Sequence, residues 1–235
     1  MTRCVVLLHG LRTSSTMWRS ERSRLEALGY SVATPDFPGH GSRMHERFSV
    51  AGAMRTIDQA CMDVAEPPLV VGLSLGGYLA LHWAGLEPRP VAGIVATSCG
   101  TQPTRVVLDA WRVLAAGIHL APDRGLLLNN TLLGLAVRDK KLAADVLAGG
   151  VALEVMQDAL VELRQLRTVA SIARIEQPVV FVNGTLDHFR LQERAYLRAA
   201  RNGSLVHVKG ATHLVPLARP VEYHRALLDT LAQLP

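Results

Sequence analysis

Gly72-Leu73-Ser74-Leu75-Gly76-Gly77 follows the apolar run Pro68–Val71 directly and opens the amphipathic segment Tyr78-Leu79-Ala80-Leu81. A short buried strand, a glycine-rich turn and a helix are expected in that order, the context in which G-x-S-x-G presents a nucleophilic serine. A serine held in so tight a turn brings neighbouring backbone very close, and Cβ atoms at positions 72 and 76 would collide. The turn exposes the Ser74 hydroxyl at the tip of the strand. It also puts the Leu75 N–H at a helix N-terminus, where it can stabilise an oxyanion.

A hydroxyl needs a base at neutral pH. Of nine histidines, His213 in Gly210-Ala211-Thr212-His213-Leu214 lies in a loop between the last expected strand and the last helix. Loops at the carboxyl ends of parallel strands line the reactive crevice. The competitors sit elsewhere: His82 and His224 within helices, His207 within a strand, His119 and His45 in irregular segments. The base needs an orienting carboxylate. Asp187, in Asn183-Gly184-Thr185-Leu186-Asp187-His188, follows the strand Val179–Val182; if it failed, Asp109 and Asp123 would be next. Leu11, after His9-Gly10 at the end of the first strand, is the expected second oxyanion donor beside Leu75. Asp36-Phe37-Pro38-Gly39-His40-Gly41-Ser42 is dense in turn formers and reads as structural, with Asp36 and Ser42 satisfying loop amides. Cys99 reads as a small buried thiol and His188 as a rim residue.

Outward from these loops, short apolar runs alternate with longer amphipathic ones, the pattern of a parallel sheet with crossover helices. Strands are expected at Cys4–Leu8, Tyr30–Thr34, Leu69–Gly72, Val91–Thr97, Val179–Val182 and Ser204–Val208. Helices are expected near Trp18–Leu28, Val50–Val64, Leu75–Gly85, Leu191–Arg201 and Val221–Leu234, with Gly29 and Gly203 as C-terminal caps. Residues 102–168 break the rhythm and read as helices only: Val106–Gly117, Leu126–Val137, Lys141–Leu147 and Ala152–Arg167. Such an insertion suits a cap over the sheet's C-terminal edge. Residues 1–101 and 169–235 then form the core.

The composition allows one large domain: 235 residues, 49% hydrophobic, with 25 Lys and Arg against 20 acidic residues. The arginines are scattered at helical-surface spacings, and no basic cluster interleaved with aromatics marks a nucleic-acid partner. Three cysteines, Cys4, Cys61 and Cys99, fit neither a disulfide framework nor a metal knuckle, and reduced thiols point to the cytoplasm. No apolar run is long enough to span a bilayer. No cofactor and no metal ligand are assigned.

With these residues the chain resembles the α/β-hydrolase superfamily, and within it small bacterial serine esterases, lactonases and cofactor-free carbon–carbon hydrolases. His9-Gly10, Asp36-x-Pro38-Gly39-His40-Gly41-Ser42, the elbow at Ser74, the Asp187 loop and the His213 loop carry the resemblance. It implies an α/β-hydrolase fold trimmed to about six strands, since the two strands that usually precede His-Gly are missing. The trimmed sheet leaves an edge that tight packing or a homodimer would cover. The resemblance implies hydrolysis of a carboxylic ester, lactone or thioester through an acyl-enzyme. The leucine-rich insertion with Trp111 favours a small or medium apolar substrate. Two other readings share the constellation: a carbon–carbon hydrolase, lyase or cofactor-free oxygenase, and a slow-turnover ligand receptor. A lyase acting on an anionic substrate would want arginines at the crevice, for which Arg12, Arg43, Arg105, Arg112 and Arg138 are the candidates.

Overall fold

The apolar runs of the sequence become strands. The computed structural model describes residues 2–234. Strands β1 (Cys4–Leu8), β2 (Ser31–Ala33), β3 (Leu69–Leu73), β4 (Gly93–Thr97), β5 (Val179–Gly184) and β6 (Gly203–Val208) form one sheet in the order β2-β1-β3-β4-β5-β6. Every pairing is parallel, so all six carboxyl ends emerge on one edge. Side chains alternate across it. Val6, Leu8, Val70, Ile94 and Phe181 belong to one apolar layer, and Val5, Leu7, Val71, Val95 and Val182 to the other.

The first layer is covered by α2 (Val50–Met62), α3 (Leu75–Leu86), α8 (Thr168–Ile172) and α9 (Glu193–Ala199). The second is covered by α1 (Arg19–Ala27), α10 (Val215–Ala218) and α11 (Pro220–Gln233). Helices on both faces bury β1, β3, β4 and β5 completely, which explains their continuous rather than alternating hydrophobicity, while the edge strands β2 and β6 keep exposed positions. Between β4 and β5 also lie α4 (Arg105–His119), α5 (Leu126–Ala136), α6 (Lys140–Leu147) and α7 (Val155–Glu162). Leu108 and Ala115 of α4 join the first layer, while Leu133, Leu142 and Val146 of α5 and α6 join the second.

Several expectations need correction. The helix expected over Ala152–Arg167 is broken at both ends. Residues 151–153 are irregular, with the Ala152 N–H donating to the Arg12 carbonyl at 3.3 Å. Leu166 turns extended, and it is only 4% exposed, so burial overrides helical periodicity. Gly29 does end α1 with φ +84°, and the Gly29 and Tyr30 amides bond back to Glu26 and Leu25 as in a Schellman cap. Gly203 is no cap: it is the first residue of β6, packed against Ala200 and Leu197. His119 is the last residue of α4 rather than part of an irregular segment. The short α10 behind the His213 loop was not foreseen, because its four residues carry too little periodicity to register.

No helix among the described residues is long and apolar enough to cross a membrane.

Candidate active site

Ser74 lies between β3 and α3 with φ +52° and ψ −111°, a region that L-residues rarely occupy. The conformation is held from several sides. The Ser74 N–H donates to the Thr97 carbonyl of β4 at 2.8 Å, and its carbonyl accepts from Tyr78 N–H at 3.0 Å. A Cβ on Gly72 would stand 2.3 Å from the Gly76 backbone, and one on Gly76 only 2.4 Å from the Leu8 carbonyl oxygen. Glycines at both positions are therefore a steric requirement of packing the elbow onto β1 and itself.

The Asp187 and His213 loops are joined by hydrogen bonds. Leu186 N–H donates to the Ala211 carbonyl at 3.0 Å, and Gly210 N–H to the Thr185 hydroxyl at 2.9 Å. A side chain at Gly184 would run into the Ala211 carbonyl. This junction brings His213 Nδ1 to 3.1 Å from Asp187 Oδ1, and His213 Nε2 to 3.0 Å from Ser74 Oγ. The three residues foreseen from sequence thus share one hydrogen-bonded chain. Asp187 is buried; burial alone would push its carboxyl up, but the hydrogen bond and charge of His213 and the Phe189 N–H outweigh it and hold the carboxyl below its ordinary value.

Leu11 and Leu75 stand beside Ser74 in the wall of the same cavity, and neither N–H donates to a backbone acceptor among the described residues. The cavity holds about 610 Å³, within the usual range for small-molecule sites. The β1, β3 and His213 loops form its floor, and Leu108, Trp111, Leu132 and Leu160 contribute to its walls.

Two groups near the site escaped sequence reasoning. Phe189 donates its N–H to Asp187 Oδ1 at 2.9 Å, while its ring lies 4.8 Å from His213 and stacks on Trp111 at 5.8 Å. Its spacing from Asp187 is the available signal, since an Asp side chain often accepts from the amide two residues on. His9 is fully buried. Its Nε2 accepts the Phe37 N–H at 3.0 Å, which puts its proton on Nδ1, donating to the Gly10 carbonyl at 2.9 Å. The ring thereby ties the loop carrying Leu11 to the end of β2. Burial, reinforced by His40, pushes its pKa down to about 3, against the pull of the Gly10 carbonyl and Asp36.

The Asp36 loop is structural, as expected for the aspartate. Its carboxylate accepts the Ser15 and Ser42 amides at 2.7 and 2.9 Å. Ser42 differs, because its hydroxyl donates to Asp36 instead of capping an amide. The reserve acids are engaged elsewhere: Asp109 pairs with Arg164, and Asp123 accepts the Gly125 and Leu127 amides at the start of α5. Cys99 is buried against Gly77, and His188 is exposed where it lines the cavity. No group of three or more His, Cys, Asp or Glu side chains among the described residues is arranged to hold a metal.

A six-stranded parallel sheet with a serine elbow, an acid loop and a histidine loop at its carboxyl edge defines the α/β-hydrolase class. The sequence profile of the alpha/beta hydrolase family matches residues 5–226, and the chain belongs to that family. Over 113 residues it is 35% identical to the pimeloyl-[acyl-carrier protein] methyl ester esterase of Nitrosospira multiformis, a match covering 46% of this chain and 42% of that relative. The aligned stretch is thus less than half of that relative's length. Among solved structures it is similar to a monoacylglycerol lipase of Paleococcus ferrophilus (24% identity, TM-score 0.71, covering 97% of this chain and 93% of that one). It is also similar to a thermophilic esterase from Thermogutta terrifontis (18% identity, TM-score 0.79, covering 98% and 89%). These two likenesses concern the fold.

Proposed function

We propose that the protein is a serine hydrolase that cleaves a carboxylic ester, or the related lactone or thioester, of a small or medium apolar substrate. The observation that carries the reading is the 3.0 Å contact between His213 Nε2 and Ser74 Oγ at the floor of an apolar cavity. Ser74 Oγ attacks the acyl carbon as its proton passes to His213 Nε2. The carbonyl π bond opens, and the charge on its oxygen is held by the Leu11 and Leu75 amides, the latter at the N-terminus of α3. Collapse expels the alcohol, which takes the proton from His213 and leaves an acyl-enzyme. Water, deprotonated by His213, then attacks the acyl carbon and releases the acid and the Ser74 hydroxyl. Asp187 keeps the histidine proton on Nδ1 and stabilises the imidazolium.

Helices α4 to α7 act in this reading as the cap that excludes water and selects the acyl chain. The named relatives, a methyl ester esterase and a monoacylglycerol lipase, lend support through their ester substrates. The test is labelling by a fluorophosphonate probe, followed by turnover of p-nitrophenyl esters of increasing chain length. Label is expected on Ser74, lost in His213→Ala. Absence of label on the wild-type protein overturns the reading, and unchanged ester turnover in Asp187→Asn overturns the assignment of the acid.

A further inference from the structure

Arg12 is out of place in an apolar pocket. It follows Leu11 in the loop after β1, lines the cavity that holds Ser74 and His213, and is half-buried. Its backbone adopts φ +65°, a left-handed conformation that an arginine takes only at a cost. Its guanidinium makes no ion pair and no hydrogen bond among the described residues, whereas Arg43, Arg89, Arg164 and Arg190 each engage a carboxylate. No Asp or Glu lines the cavity, and no Lys or other Arg does. Burial pulls the Arg12 guanidinium below its ordinary pKa, with no carboxylate near enough to offset that shift. A permanent charge part-desolvated in an apolar wall is unfavourable unless something pairs with it. No partner for it is found among the described residues, and the cavity that Arg12 lines also holds Ser74 and His213.

We infer that Arg12 is an anion subsite, so that the preferred substrate is an apolar ester carrying one negatively charged group, a carboxylate or a phosphate, paired with this guanidinium. The inference rests on the proposed ester hydrolysis and narrows its substrate class. The planar guanidinium matches both anions through two parallel N–H donors. Leu11 is the neighbouring residue, so the anion sits within an arginine's reach of the acyl oxygen. That geometry orients the ester toward Ser74 while the rest of the cavity covers its hydrocarbon part.

The experiment measures kcat/KM of wild type, Arg12→Met and Arg12→Lys on paired esters that differ only in charge. One arm places the anion on the acyl side: mono-p-nitrophenyl succinate, glutarate and adipate against their methyl-capped, neutral counterparts. The other places it on the leaving group: hexanoyl 4′-phosphopantetheine against hexanoyl pantetheine. Wild type is expected to prefer the charged member in one arm, and that arm identifies the source of the anion. Arg12→Met should remove roughly 10- to 100-fold from the charged member, mainly through KM. It should leave the neutral member within about threefold, and Arg12→Lys should recover part of the loss. Equal losses on charged and neutral esters, or no charge preference in either arm, overturn the inference. Ser74-dependent turnover of neutral p-nitrophenyl hexanoate is read in the same series, so a failure of the ester-hydrolase reading shows separately. Binding without turnover gives a second reading: the anion of the preferred arm, adipate or 4′-phosphopantetheine, should raise the Tm of wild type and not of Arg12→Met, and an equal shift in both overturns the inference.

Discussion

The carboxyl edge of the sheet and the helices of residues 105–162 share one cavity but are built to different tolerances. At the edge, backbone meets backbone: Gly72, Gly76 and Gly184 each sit where a single added carbon would overlap main-chain atoms, and β1, β3 and β5 are buried throughout. In α4 and α5 the glycines Gly117 and Gly134 face open space. There apolar side chains project outward, with Val106 80% and Leu135 75% exposed. A hydrogen-bonded chain of three side chains needs placement to a fraction of an ångström, which close backbone packing supplies. A wall that receives hydrocarbon needs only apolar surface in about the right place. The difference teaches where this molecule spends its conformational constraint.

The comparison can be broken by experiment, starting with the largest effect. Ser74→Ala and His213→Ala are each expected to lower kcat on p-nitrophenyl hexanoate by at least about 10⁴-fold. The double variant should be little worse than either alone, since the two residues act as a unit; additive losses would argue against the shared proton path.

The second effect is on stability in acid. His9 and His40 are held neutral by burial, down to about 3 and about 4, each partly opposed by a backbone carbonyl and by Asp36. The unfolded chain binds protons at these rings near the ordinary histidine pKa of 6.5, and the folded chain does not. Stability from the neutral rings is thus full above about pH 6.5 and is lost as the pH falls toward the folded values. The loss should be about 2 kcal/mol per ring at pH 5, to order of magnitude. Urea unfolding between pH 7 and 5 measures it. A flat profile would mean that the rings beside β1 and β2 are not confined as the elbow is.

Gly76→Ala comes next, with an expected loss of roughly 3 kcal/mol or more, because the new Cβ meets the fixed Leu8 carbonyl rather than a yielding side chain. The urea midpoint reads it, and a loss below about 1 kcal/mol would show that the edge can relax. The smallest effect has the opposite sign. Gly134→Ala in α5 should raise stability by about 0.5–1 kcal/mol, since nothing lies near its Cβ and alanine loses less backbone entropy in a helix. Destabilisation there would put α5 under the same constraint as the sheet edge.

Much of the edge was legible in the chain because its demands are local. Glycines at 72 and 76 around a serine, set between an apolar run and an amphipathic one, encode strand, turn and helix without outside help. The helical stretch was legible in kind but not in boundaries: Leu166 leaves the helix to be buried, and Ala152 turns to the Arg12 carbonyl. Neither partner is near in sequence, so periodicity had no means to register them. The role of His9 is not legible in the chain because it depends on Phe37, which reaches it only after β2 pairs with β1.

Read alone, the sequence determined which segments become strands, which residue types stand at their carboxyl ends, and the order serine, acid, histidine. Those follow from hydrophobic periodicity and from the steric needs of tight turns, both properties of neighbouring residues. Only the tertiary structure decided that residues 139 positions apart come within 3.0 Å, and that Arg12 faces an apolar cavity with no carboxylate in it. Distances and unpaired charges depend on which strands lie side by side and what packs above them, and parallel pairing sets both across the whole chain.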